Sequence, residues 1–273
     1  MNVLARMLVA LMIVQAVAGL AWPDVYRDAG WIKATWLGND TITLFVAVPL
    51  MWMGHAAARR GSPRGQLLVA GVSGYALYNY AFYLFGASLN AHFPIYVAGF
   101  VTSALALMLM VSSLDPRAFT GHAGPSVPVR IVGAGLVATG ALLATVWAAM
   151  WAAYVFAGQP TPVEPDAFRL IAGLDLSLMA PALVGGGALL WRRAPWGYVV
   201  AGIAGIQAAL YLLVLSVNSV IAIRRGFADA PGELPIWGTL AVGMIVSAGT
   251  LLAHAGAPIP ARREEQQCCD ARL

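Results

Sequence analysis

The chain has 273 residues, 60% hydrophobic and 10% charged, with a net charge of +4 and a mean hydropathy of +0.76. Soluble domains carry roughly 25% charged residues. So few charges cannot cover a water-facing surface, which excludes a soluble globular domain and specifies an all-α polytopic transmembrane bundle whose partner is the lipid bilayer. The cations are arginines in short turns, with no basic face or reader motif, so nucleic acid is excluded as a partner. Lys33, the only lysine, lies in a loop, which rules out chemistry that needs an intramembrane Schiff base.

A spanning helix needs about 20 mostly apolar residues, and eight stretches meet that requirement. The first, 3–22, has Arg6 ahead of its apolar run and resembles a signal peptide. More spans follow it, so it reads as a retained helix, carrying Gln15. The second, 38–57, opens on Asp40 in Gly-Asn-Asp-Thr, where a carboxylate would cap the outer helix start. It has Pro49 inside it and His55 near its inner end.

The third, 66–86, contains Gly-Tyr-Ala-Leu-Tyr-Asn-Tyr-Ala-Phe-Tyr. Residues at i, i+3, i+4, i+7 and i+8 share a helix face, so Tyr75, Tyr78, Asn79, Phe82 and Tyr83 form one wall and Tyr80 points elsewhere, like Tyr211. Tyr83 and Tyr96 lie near the outer interface, where an aromatic belt explains them; Tyr75 is too deep for that. Asn90 and His92 occupy the short loop that follows.

The fourth and fifth stretches are 94–114 and 130–157. The sixth, 168–191, holds Asp175, Pro181 and Gly185-Gly186-Gly187. Asp175 is about 7 residues, or roughly 10 Å, from the outer end. An ionisable group in hydrocarbon costs about 2.5–3.5 kcal/mol on insertion scales. Asp175 therefore reads either as a proton relay or cation contact, or as a buried group that holds helices together. The glycine triplet reads as close helix packing. The seventh stretch, 197–222, carries Gln207, Tyr211 and Asn218, and the eighth, 235–255, ends near His254. His55 and His254 read as interfacial histidines rather than haem ligands. Neither a cofactor nor a metal is expected, since no HExxH, Walker, G-x-S-x-G or cysteine metal spacing occurs. Cys268 and Cys269 are adjacent in a polar tail, 258–273.

Arg59, Arg60, Arg64, Arg117, Arg130, Arg192, Arg193, Arg262 and Arg263 all fall on one side if the spans alternate. That places both termini in the cytoplasm of a multi-pass inner-membrane protein, with Arg224 and Arg225 breaking the pattern. Residues 1–257 form the bundle, with a weak repeat between halves 1–128 and 129–257. Val69-Ala70-Gly71, Gly74 and Tyr80 match Val200-Ala201-Gly202, Gly205 and Tyr211. Parallel four-helix halves are a plan found in transport proteins.

Gln15, Asn79, Asp175 and Asn218 share the outer half, with Gln207 nearer the middle and Asp40 at the mouth. Together with Tyr75, Tyr78 and Tyr83 they describe an outward-opening cavity for a small-molecule ligand, with Asp175 as its ionisable contact and Asn79 as selector. The alternative for each residue is a hydrogen bond to a neighbouring helix. At the level of the whole chain, the alternatives are an intramembrane enzyme acting on a lipid or quinone through Asp175, and a structural subunit of a membrane complex. The runs RRGSPRGQLLVAGVSGYALYNYAFYLFGASLNAHFPIY and WRRAPWGYVVAG resemble segments of uncharacterised bacterial polytopic membrane proteins, a resemblance that implies a membrane bundle and no particular activity.

Overall fold

The computed structural model describes residues 2–119 and 128–255. The tail with Cys268, Cys269, Arg262 and Arg263 lies outside them. The described residues are helices joined by short turns: α1 Asn2–Ala21, α2 Gly30–Ala58, α3 Pro63–Gly86, α4 Phe93–Ser113, α5 Val129–Ala157, α6 Pro165–Trp191, α7 Pro195–Arg224 and α8 Leu234–His254. Seven of them, all except α3, are long and apolar enough to cross a membrane. Helix α3 has 24 residues but is diluted by its tyrosines and Asn79.

Most helix boundaries lie within about three residues of those read from hydropathy, since proline at the first turn fixes the starts of α3, α4, α6, α7 and α8. Helix α2 is the exception. It begins at Gly30 rather than near residue 38, so Asp40 is a mid-helix residue and not a cap. The polar run Lys33-Ala-Thr-Trp-Leu-Gly-Asn-Asp-Thr hides this helix from a hydropathy window, and packing sustains it.

Both α2 and α6 contain one wide π-type turn. Val48 N–H donates to the Thr43 carbonyl and Ala180 N–H to the Asp175 carbonyl, each five residues back. Pro49 and Pro181 follow by the same two residues. Proline has no N–H and crowds the carbonyl of the preceding turn, so a widened turn just ahead of it lets each helix continue. Such turns recur at functional sites; here they present Thr43 and Asp175 to the interior.

Helices α3 and α7 form the centre. Of the most apolar stretch of α7, 67% is buried, against 22% in α5 and α8, which therefore face lipid. The two central helices run parallel. A side chain on Gly71 would meet Ile206, one on Gly74 would meet Gln207, and one on Gly202 would meet Leu67. Lipid is as apolar as the helices themselves, so association depends on such close backbone approach and on interhelical hydrogen bonds. Gly186 lies against the Ala201 backbone and Gly187 against the Gly133 carbonyl, while Gly185 faces open space. The glycine triplet thus serves close packing of α6 between α5 and α7.

The two ends of the bundle differ. At one, Arg64 reaches from α3 to the end of α8, donating from Nε to the Ala255 carbonyl at 2.7 Å and from its guanidinium to the Ala253 carbonyl at 2.8 Å. At the other, the backbone N–H and hydroxyl of Ser88 donate to Asp28, and Phe227 covers Gly30.

Candidate functional site

Helix α3 organises the polar interior. Its face Tyr75–Tyr78–Asn79–Phe82–Tyr83 is directed inward as the spacing predicts, and Tyr80 turns away to pack on Gly99 of α4. The face does not meet one site but three neighbouring ones.

At its C-terminal end, Tyr83 donates to Asp40 Oδ1 at 2.8 Å. Tyr26, from the short turn after α1, donates to Oδ2 at 2.6 Å, and Gln15 of α1 donates to Oδ1. Asp40 is 0% exposed. Gly19 makes this possible, because a Cβ there would lie 2.1 Å from Asp40 Oδ2 and 2.3 Å from the Tyr26 hydroxyl. Burial, then the neighbouring carboxylate, push the Tyr26 phenol up from its ordinary value, so it is a committed donor. Two expectations are corrected here. Asp40 is not at an outer mouth, and Tyr83 is not a belt residue: it is 0% exposed, stacked on Trp36 at 4.8 Å and on Tyr96 at 5.0 Å.

One turn nearer the N-terminus of α3, Tyr78 donates to Asp175 Oδ1 at 2.7 Å. Trp147 of α5 donates to Oδ2 at 2.8 Å and Tyr211 of α7 to the same oxygen at 3.3 Å. Asp175, also 0% exposed, thus links four helices. The repeat match with Tyr80 predicts that Tyr211 points away from this face, and it does not. It faces inward because the parallel crossing of α3 and α7 sets it edge-on to Tyr78, with ring centroids 5.1 Å apart. Among the described residues, no arginine, lysine or histidine donates to either aspartate. Asp40 is held by phenol and amide donors, and Asp175 by phenol and indole donors.

Between the two aspartates lies a cavity of about 90 Å³ bounded by α2, α3, α6 and α7. Tyr75, Tyr78, Asn79, Asn39, Tyr211 and Asn218 line it, with Thr35, Phe82 and apolar side chains of α6 and α7. Thr43 shares a 2.9 Å hydrogen bond with Tyr75 and accepts one from Asn79 at 3.3 Å. The Asn218 carbonyl oxygen is buried without a protein partner, and it lies where a side chain on Gly38 would be. At about 30 Å³ per molecule, the space holds roughly three waters, well below the 300–1,000 Å³ of drug-sized ligand sites.

Of the residues marked from sequence, Tyr75, Tyr78 and Asn79 line the cavity. Asp175 stands behind Tyr78 and Tyr211. Gln15, Asp40 and Tyr83 form the separate Asp40 cluster, and Gln207 packs against Gly74 outside both. Tyr26, Thr43, Asn39 and Trp147 were not marked. Tyr26 sits in a loop and Trp147 among lipid-facing aromatics, so neither carries a sequence signal; Asn39 adjoins Asp40 and Thr43 lies one turn beyond it, where the charge of Asp40 is the stronger signal. Among the described residues, no three His, Cys, Asp or Glu side chains converge as metal ligands. His254 engages the Thr250 carbonyl in its own helix. Comparison of the sequence with family models, curated proteins and solved structures gives no match.

Proposed function

We propose that this protein is an eight-span inner-membrane protein that binds a small polar molecule in the cavity between α2, α3, α6 and α7 and moves it by opening that cavity. The observation that carries the reading is the neutral, amide- and phenol-lined space enclosed between two fully buried carboxylates. Hydrocarbon makes such groups costly, and they gather in membrane proteins along substrate and ion pathways. The lining carries no charge of its own, which suits an uncharged solute; its phenol and amide groups are engaged with Asp175, Thr43 and the Thr35 carbonyl, so a solute binds by taking the place of some of those bonds. The conformation described is closed around a few waters' volume; a larger ligand requires α6 or α2 to move, and the wide turns at Thr43 and Asp175 are where those helices would bend.

The arginine-rich end is assigned to the cytoplasm together with both termini, and the two halves to a duplication. The matching wide turn two residues ahead of Pro49 and Pro181 supports that duplication. The test is mass-spectrometric identification of small molecules retained by purified protein, comparing wild type with Asn79→Leu and Asp175→Asn. Asn79→Leu fills the cavity and leaves both carboxylate clusters intact, so it should deplete the retained molecule. An unchanged profile, or none in any sample, removes the proposal.

A further inference from the structure

At the end of the bundle opposite Arg64, the α5–α6 connection builds a second, larger site, independent of the internal cavity. Gly158 ends α5 in the left-handed conformation (φ 64°), with its N–H on the Ala153 carbonyl. Residues 159–165 carry three prolines, and the Thr161 hydroxyl donates to the Val163 carbonyl at 2.6 Å, which stiffens the segment. This loop forms one wall of an open groove of about 610 Å³. Trp31 of α2, Tyr154 of α5 and Phe227 of the α7–α8 turn complete the lining, with Glu164 as its charged residue.

Glu164, like Asp229 in the α7–α8 turn, differs from the other carboxylates at this end. Asp24 pairs with Lys33 and Asp166 with Arg169; Asp28 accepts from Trp36 and Ser88; Glu233 accepts from Trp237. Glu164 occupies the cap position of α6 without a side-chain cap bond, and no ion pair engages it among the described residues. A tryptophan, a tyrosine and a phenylalanine around an unengaged carboxylate make the side-chain set that holds an alkylated ammonium. Ring faces attract a weakly hydrated cation, worth about 0.5–2 kcal/mol per contact, and the carboxylate supplies the counter-charge. An anionic ligand would meet like charge at Glu164.

We infer that this groove binds an organic ammonium group, with Trp31, Tyr154 and Phe227 as its aromatic walls and Glu164 as its counter-ion. Two sources present that chemistry: a free amine in solution, and the amine headgroup of a phospholipid reaching over the lipid-facing side of α5, where Trp151 and Phe156 are exposed.

The experiment is titration of the full-length protein with choline chloride, read by tryptophan fluorescence and by thermal shift, in nanodiscs of phosphatidylglycerol and separately of phosphatidylcholine. Choline should bind in phosphatidylglycerol discs where equal sodium chloride has no effect. Trp31→Ala and Glu164→Gln should each weaken it about 3- to 10-fold, from one lost cation–π contact or the lost charge. The conservative Trp31→Phe should retain most binding, and the internal-cavity variant Asn79→Leu should leave it unchanged, which separates this site from the first. Equal choline affinity in both lipids identifies a free amine as the occupant; loss of the choline response in phosphatidylcholine identifies the lipid headgroup. Absence of a choline response in phosphatidylglycerol, or a response unaltered in Glu164→Gln and Trp31→Ala alike, overturns the inference.

Discussion

Gly19 offers a sharp test of the Asp40 cluster. In a helix interior, replacing glycine by alanine ordinarily stabilises by roughly 0.5–1 kcal/mol. At Gly19 the new Cβ would sit 2.1 Å from Asp40 Oδ2 and 2.3 Å from the Tyr26 hydroxyl, far inside contact distance. To relieve the clash, α1 must withdraw by about an ångström, or Asp40 must leave its donors. Overpacking costs about 1–3 kcal/mol, and a buried charged group stripped of a donor costs about 1–3 kcal/mol more.

Gly19→Ala should therefore destabilise by roughly 2–5 kcal/mol, with the propensity gain offsetting part of it. Gly135→Ala, on α5 with nothing within 4 Å, should be neutral or slightly stabilising. Thermal unfolding in one detergent, followed by tryptophan emission, measures both; a fall of roughly 5–15 °C is expected for Gly19→Ala and none for Gly135→Ala, at about 2–4 °C per kcal/mol. Asp40→Ala empties the volume in conflict, so the double variant with Gly19→Ala should be more stable than the sum of the two single losses. Wild-type stability in Gly19→Ala, or strict additivity in the double variant, would refute the described packing of α1 on α2.

Asp175→Leu removes the acceptor for Tyr78, Trp147 and Tyr211 and should cost about 2–4 kcal/mol in the same assay, more than Asp175→Asn, which keeps one oxygen; equal losses would count against the hydrogen-bonded arrangement. Arg64→Gln frees the Ala253 and Ala255 carbonyls and should increase amide exchange in the last turn of α8 while α7 stays protected. His92 lies in the α3–α4 loop with its ring edge-on to Tyr26 at 6.1 Å, and burial holds its imidazole below its ordinary value. The unfolded chain then binds the extra proton, so stability is complete above pH of about 6.5 and declines as pH falls below it. His92→Gln should flatten that decline, and an unchanged pH profile would show that His92 is not its source.

The sequence alone determined the membrane class and nearly every helix, because twenty-residue apolar runs between arginine turns have one stable solution in lipid: a helix that satisfies its own backbone. It also determined the inward face of α3, since Tyr75, Tyr78 and Asn79 follow from helical period. The tertiary structure decided what that face meets. Hydropathy placed Asp40 at a helix start because it averages over neighbours, whereas α2 is held from Gly30 by packing against α1, α3 and α7. Depth along the chain puts Gln15, Asn79, Asp175 and Asn218 in one half of the bundle, with Asp40 at its mouth and Gln207 nearer the middle, but depth is not azimuth. Rotation of each helix about its axis, set by where glycines permit close approach, separated them into two carboxylate clusters and a neutral cavity. The donors that complete those clusters, Tyr26 from a loop and Trp147 from a lipid-facing helix, are ordinary residues in the sequence; only the crossing of α3 with α7 and the seating of α5 on α6 turn them into partners of a buried charge.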